Sequence, residues 1–240
     1  MKSQSEKHSY LKLFSLLASR ILFFLLFQAL TALLLQSWEL SVKYWIPVAT
    51  VTNFVTIALL YILFRKESLS YMDIFRIKRV DLKSNLWVFF LIMLLIAPIV
   101  FVTDYLLKYL LWEDANTAFN LMFQPLSPFL VWPLLFLFPV SIAFAELALY
   151  FGYLMPRLQK KLNNKLQSLL LPALFLSLQH CTLPFIADTR FIVYRALVFL
   201  PFALLIGIAL RKKPALLPFF AILHGLMDFS TVLLLLLQST

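Results

Sequence analysis

Residues 127–155 read SPFLVWPLLFLFPVSIAFAELALYFGYLM, and within this run only Glu146 carries a formal charge. A helix needs about 20 apolar residues to cross the hydrocarbon core of a bilayer, so the stretch is long enough to span with one carboxylate near its middle. It is apolar on every face, which an amphipathic helix of a soluble domain would not be. Six other stretches share this character, at approximately 15–36, 44–64, 86–107, 166–186, 191–210 and 214–237. The expected fold is therefore all-α, a polytopic membrane helix bundle of about seven transmembrane helices.

Composition supports the same class. Of 240 residues, 62% are hydrophobic and only 13% charged, against about 25% charged in soluble domains. Leucine and phenylalanine dominate without the strict alternation a membrane barrel requires. The net charge of +10 would suit nucleic acid or a membrane surface, and its distribution decides between them. No basic stripe interleaves with aromatics on a soluble face, so nucleic acid is not an expected partner. The basic residues fall in short loops between apolar runs.

Those loops set an orientation by the positive-inside rule. With a cytoplasmic N-terminus, the inner segments hold Lys2, Lys7, Lys12 and the basic clusters at 65–83, 157–165 and 211–213. The outer side receives only Lys43, Lys108, Arg190 and Arg195, while Arg20 is read as snorkelling from the inner end of the first span. The expected topology is N-in, C-out. Segment 65–84 mixes Tyr71, Ile74 and Phe75 with basic residues and is expected on the membrane surface. The N-terminal MKSQSEKHSYLK precedes an apolar run longer than a signal peptide's, so it reads as a retained first helix. Cys181 is the single cysteine, which excludes an internal disulfide, and His8 lies in a polar tail. No repeat or linker divides the chain, so residues 1–240 form one membrane domain. Its chemistry is expected in residues 127–237, with the spans of 15–107 accessory.

Ionisable side chains at mid-membrane cost several kcal/mol and persist where they are paired, hydrated or functional. Four stand out: Glu146, His180, His224 and Asp228. At a rise of about 1.5 Å per residue, Glu146 and His224 each lie about 15 Å from the inner surface, and His180 about 20 Å. His224 and Asp228 are four apart and share a helical face. A structural polar cluster would account for one such residue, less easily for four from three helices. As a site they would activate water against an amide carbonyl. Glu146 would serve as general base, the histidines as donors to an oxyanion and a leaving amine, and Asp228 as the group that orients His224. No serine stands beside a base, no HExxH helix is present, and the only glycines are Gly152, Gly207 and Gly225. No cofactor is expected, although the four residue types are also capable metal ligands. Cys181, beside His180, points about 100° away from it and reads as a core thiol.

The segment AELALYFGYLMPRLQKKL (145–162) resembles the first motif of the CAAX-protease and bacteriocin-processing family, also called the Abi family. That motif is Glu-Glu-x-x-x-Arg-Gly, often continued as Tyr-Leu-x-Pro-Arg-Leu, and its first glutamate falls on Glu146. LSLQH resembles the second motif and supplies His180, and HGLMD resembles the third and supplies His224 and Asp228. The likeness covers residues 140–230. It implies an intramembrane glutamate-type endopeptidase that hydrolyses a membrane-associated protein or peptide from a cavity opening to the cytosol. Catalysis would fall to Glu146, His180, His224 and Asp228. The family's second glutamate is Leu147 here and its arginine Phe151. These positions are neighbours on a helix, so the exchange replaces an ion pair by an apolar contact. The alternatives are a non-catalytic relative acting in bacteriocin self-immunity or membrane-partner binding, and a proton-coupled transporter. The latter lacks paired repeats with glycine-broken helices. Short loops favour a bacterial inner membrane.

Overall fold

The computed structural model describes residues 4–239, with side chains from Leu11 onward, so Lys2 and the side chains of Lys7 and His8 lie outside the described residues. Helix α1 (Gln4–Leu35) is followed by the short α2 (Trp38–Lys43), capped by the Ser37 hydroxyl, and by α3 (Trp45–Lys66). Two 3-10 turns, Tyr71–Phe75 and Arg79–Asp81, lead into the long α4 (Leu82–Trp112) and then α5 (Thr117–Met122). The stretch quoted above is α6 (Pro128–Leu147), which continues without a break through a π-helical segment, Ala148–Leu154, into α7 (Met155–Leu162). Helix α8 (Lys165–Gln179) is capped by Asn164, ends in a 3-10 turn at His180–Thr182, and is followed by α9 (Thr189–Val198), α10 (Leu200–Lys212) and α11 (Leu217–Ser239). There is no strand among the described residues.

Among the described residues, six helical segments are long and apolar enough to cross a membrane: Leu11–Leu35, Trp45–Lys66, Tyr71–Trp112, Pro128–Leu162, Thr189–Lys212 and Pro214–Ser239. The chain is an all-helical bundle of the kind a bilayer contains. The stretch 166–186 differs from the other six. Its helix stops at Gln179 after 15 residues, because Leu183 precedes Pro184 and is held out of the α region. Segment 65–84 is not an amphipathic helix. Its Tyr71 is buried, donates a hydrogen bond to the Phe144 carbonyl, and packs tilted against Phe64 and edge-on to Phe75.

Helix α6 is the central element, clasped by α11 on one side and α3 on the other. Gly225 of α11 makes the first of these contacts possible: a Cβ there would stand 2.9 Å from the Pro139 carbonyl oxygen. Helix α4, in contrast, is exposed along most of its length and meets the bundle mainly through α9 and α10.

Two apolar clusters fill the interior. One occupies the half nearer the basic loops and includes Leu17, Leu60, Leu147, Tyr150 and Phe220. The other fills the opposite half with Phe24, Ile46, Ile142, Phe191 and Val232. Along every central helix the sequence passes from one cluster to the other through a polar residue: Arg20 in α1, Asn53 in α3, Glu146 in α6, Gln179 in α8 and His224 in α11. The site is this polar layer.

Candidate active site

Glu146 is 1% exposed, and its two carboxylate oxygens have different surroundings. Oε2 accepts a hydrogen bond of 2.6 Å from Gln179 Nε2 and lies 3.6 Å from Arg20 Nη2. Oε1 faces His224 Nε2 at 3.7 Å. The amide of Gln179 cannot turn over freely, because Arg20 Nε donates to its Oε1 at 2.6 Å. Arg20 also donates through Nη2 to Asn53 Oδ1 at 3.0 Å and through Nη1 to Thr56 Oγ1 at 3.2 Å. Asn53 in turn donates to Ser141 Oγ at 3.1 Å, one turn before Glu146 on α6. One oxygen of the carboxylate is thus fixed by neighbours and the other is left to the cavity.

Arg20 was read as snorkelling to the inner surface, and the structure corrects this. Its side chain is fully buried, with the guanidinium 5.0 Å from the Phe24 ring centroid and the nearest carboxylate that of Glu146. A helix beginning well before residue 15 puts residue 20 deep in the bundle, where the long side chain reaches no water. Charge in a medium of low dielectric needs a partner, and Glu146 and Arg20 are partners for each other. Helices α1 and α3 therefore contribute directly to the surroundings of the carboxylate.

His224 and Asp228, one turn apart on α11, approach at 3.3 Å between Nε2 and Oδ2. The imidazole edge bearing Nε2 therefore faces both carboxylates. His224 Nδ1 and Asp228 Oδ2 are buried and have no hydrogen-bond partner. Buried polar atoms without partners are uncommon in folded proteins and mark the His224–Asp228 pair as a place held for something other than packing.

His180 belongs to the same cavity wall but contacts neither carboxylate directly. Its Nδ1 donates to the Leu176 carbonyl at 2.8 Å and its ring stacks on Phe199 at 3.7 Å between centroids. Nε2 is therefore the nitrogen left free, and in the neutral ring it accepts rather than donates. Arg195 stabilises the turn that carries it: Nε donates to His180 O at 3.0 Å and Nη2 to Leu183 O at 2.7 Å. These bonds satisfy carbonyls that the early end of α8 would leave bare.

The cavity measures about 290 Å³, with Glu146, His180, His224 and Asp228 at its floor and Trp45, Phe119, Phe123 and Phe138 among its walls. Among the described residues no three His, Cys, Asp or Glu side chains are disposed to share a metal ion. Leu147 and Phe151, one turn apart on the helix that carries Glu146, are both buried in the apolar cluster beneath the site. Arg157 leaves the site altogether. It makes a surface clip, with Nε 3.0 Å from Glu67 Oε1 and its plane over the Tyr153 ring at 3.6 Å.

Of the groups that touch Glu146, sequence reasoning missed Gln179 and Arg20. A neutral amide gives no signal in a hydropathy profile, and its position beside His180 was the only pointer. Comparison of the chain with family models, with curated proteins and with solved structures finds no match in any of the three.

Proposed function

We propose that the protein is an intramembrane endopeptidase that hydrolyses a peptide bond in a membrane-associated protein or peptide, with Glu146 as the base that activates water. In this reading it spans a bacterial inner membrane seven times, N-in and C-out. Helix α8 with its 3-10 turn forms the short fifth crossing. The motifs around Glu146, His180, His224 and Asp228 are those of a member of the CAAX-protease and bacteriocin-processing family.

The observation that carries the reading is the division of labour between the two oxygens of Glu146. Oε2 is held by Gln179 and Arg20, and Oε1 faces the cavity beside a histidine. A water bound at Oε1 gives up a proton to it as its oxygen forms a bond to the carbonyl carbon. His224, 3.7 Å from Oε1 and in the wall of the same cavity, stabilises the oxyanion that develops. When the tetrahedral species collapses, the C–N bond breaks and the proton held on Glu146 passes to the departing nitrogen. Asp228 keeps His224 in place through its Nε2 edge. His180 accepts a hydrogen bond at Nε2 from the substrate backbone. This changes the sequence-based role of His180 from donor to acceptor.

The test compares membrane proteomes of cells carrying wild type and Glu146→Gln at matched expression. Removal of a general base costs about 10²–10⁴ in rate, so a precursor accumulates in the variant and its fragment disappears. Matching proteomes, together with a defect when the gene is deleted, would sink the peptidase and leave a binding role.

A further inference from the structure

We infer that the basic end of the bundle holds a binding site for one anionic phospholipid, its phosphate taken by Arg76 and Arg211 and an acyl chain laid on an apolar floor. The site is separate from the Glu146 cavity, and its argument does not depend on the peptidase reading.

A cavity of about 340 Å³ opens where three pieces of the chain converge. These are the 3-10 turn Tyr71–Phe75, the π-helical segment that runs into α7, and the turn Pro214–Leu216 between α10 and α11. None of its lining residues belongs to the Glu146 cavity. Burial divides the lining into two zones. Phe151, Met155, Leu210 and Leu217 are each no more than 4% exposed and form an apolar floor. Asp73, Arg76, Gln159 and Arg211 supply the polar groups above it, of which Asp73 and Arg76 are exposed. Gly152 lets the floor close: a Cβ there would stand 2.9 Å from Ile74 Cδ1 and 3.3 Å from Leu217 Cδ2.

The two arginines have donors to give. Among the described residues the Arg76 guanidinium has no hydrogen-bond or ion-pair partner. Arg211 donates through Nη1 to the Lys165 carbonyl at 2.7 Å, which fixes its place at the rim and leaves Nε and Nη2. A guanidinium presents paired donors whose spacing matches two oxygens of a phosphate. The field around the rim is positive, since Lys78, Arg79, Lys83, Lys212 and Lys213 flank the two arginines and outnumber Asp73 and Asp81. A contact from Lys213 Nζ to Ser84 Oγ at 3.5 Å brings the two basic stretches together.

The apolar surface of the same segment makes the anion a lipid rather than a free ion. Met72, Ile77 and Val80 stand among the basic residues and are 55%, 40% and 96% exposed. Such side chains belong at the level of acyl chains, with the lysines and arginines beside them at the headgroups. A phospholipid at that level meets the cavity with its phosphate at the rim and a chain over Phe151 and Leu217.

The experiment titrates the full chain in detergent micelles with dioleoyl phosphatidylglycerol and reads the bound lipid by native mass spectrometry. Each arginine beside an anionic headgroup accounts for about fivefold in affinity, so Arg76→Gln combined with Arg211→Gln should weaken the first binding step about 25-fold. On the same scale phosphatidylcholine with the same chains should bind at least about fivefold more weakly than phosphatidylglycerol. Ala215→Trp keeps both charges but fills the cavity, and should weaken binding about tenfold or more by excluding the lipid. Lys12→Gln combined with Lys160→Gln removes two charges from the same end but outside the cavity, and should change affinity less than about twofold in physiological salt. Excess inorganic phosphate should leave the lipid bound. Equal losses in the two double variants, or unchanged binding in Ala215→Trp, overturn the site. Equal affinity for phosphatidylcholine overturns recognition of the anion, and displacement by inorganic phosphate overturns the lipid.

Discussion

Replacing Arg20 by leucine removes a fully buried cation together with its bonds to Gln179, Asn53 and Thr56. Two accounts of that side chain give different magnitudes. If it serves only as a donor of ordinary interhelical hydrogen bonds, each is worth about 0.6 kcal/mol on average, and three come to about 2 kcal/mol. If it is the counter-charge of Glu146, its loss leaves a carboxylate buried without a partner, which costs about 3–5 kcal/mol. The 3.6 Å approach of Nη2 to Oε2 and the lack of any other cation within salt-bridge distance of that carboxylate oxygen favour the second account. The discriminating measurement is a double-mutant cycle of Arg20→Leu and Glu146→Leu, read by reversible unfolding in mixed micelles on titration with a denaturing detergent. Each single variant is expected to lose about 3–5 kcal/mol, and the double variant no more than the worse single, because an apolar pair replaces both charges. The coupling is then at least about 3 kcal/mol. Losses that add to within about 0.5 kcal/mol would refute the reasoning, since independent sites behave that way.

Two further outcomes follow from local geometry. Gly225→Ala gains about 1 kcal/mol of helix propensity, yet its methyl group meets the Pro139 carbonyl at 2.9 Å and pushes α11 from α6. Cleavage should fall at least about tenfold by the general sensitivity of catalysis to misplacement. Gly207→Ala meets only the side-chain ends of Leu169 and Phe151 and should cost less activity, so a rate assay on the two variants tests the argument. At the surface, hydrogen bonds from Arg157 hold the Glu67 carboxyl below its ordinary value of 4.5. The folded form is thus favoured above that pH, and the advantage is lost as pH falls through the depressed value. Because the pair is partly exposed, the effect stays below about 1 kcal/mol. Melting curves of wild type and Glu67→Gln should stand apart above pH 4.5 and converge only as pH falls through the depressed value.

The apolar runs made the bundle legible, because length and hydropathy alone mark a helix that suits a bilayer. Proline punctuation was legible too, but its consequence at Pro184 was missed when apolar residues were counted through to 186 as one span. For the site, depth counting put Glu146, His180 and His224 at one level, and all four named residues do line one cavity. The same counting misplaced Arg20 because it began at residue 15. Counted from Leu11, where the apolar run opens, Arg20 lies about 14 Å along the helix, at the depth of Glu146.

The sparse anchoring of α4 ties the site to the lipid around it. Its 31 residues rise about 46 Å, well beyond the roughly 30 Å of a hydrocarbon core, so the helix must lean to keep its ends at the interfaces. A helix wedged between neighbours would have its lean fixed by them. This one is pinned at Phe89 and at Asp104, with exposed apolar side chains along much of the remainder. Longer acyl chains stand it upright and shorter ones lay it over, and Val100 moves relative to Met227 each time. The shape of the cavity beside Glu146, walled by Val100 of α4 and Met227 of α11, is therefore set partly by membrane thickness, a variable that no residue of the site controls.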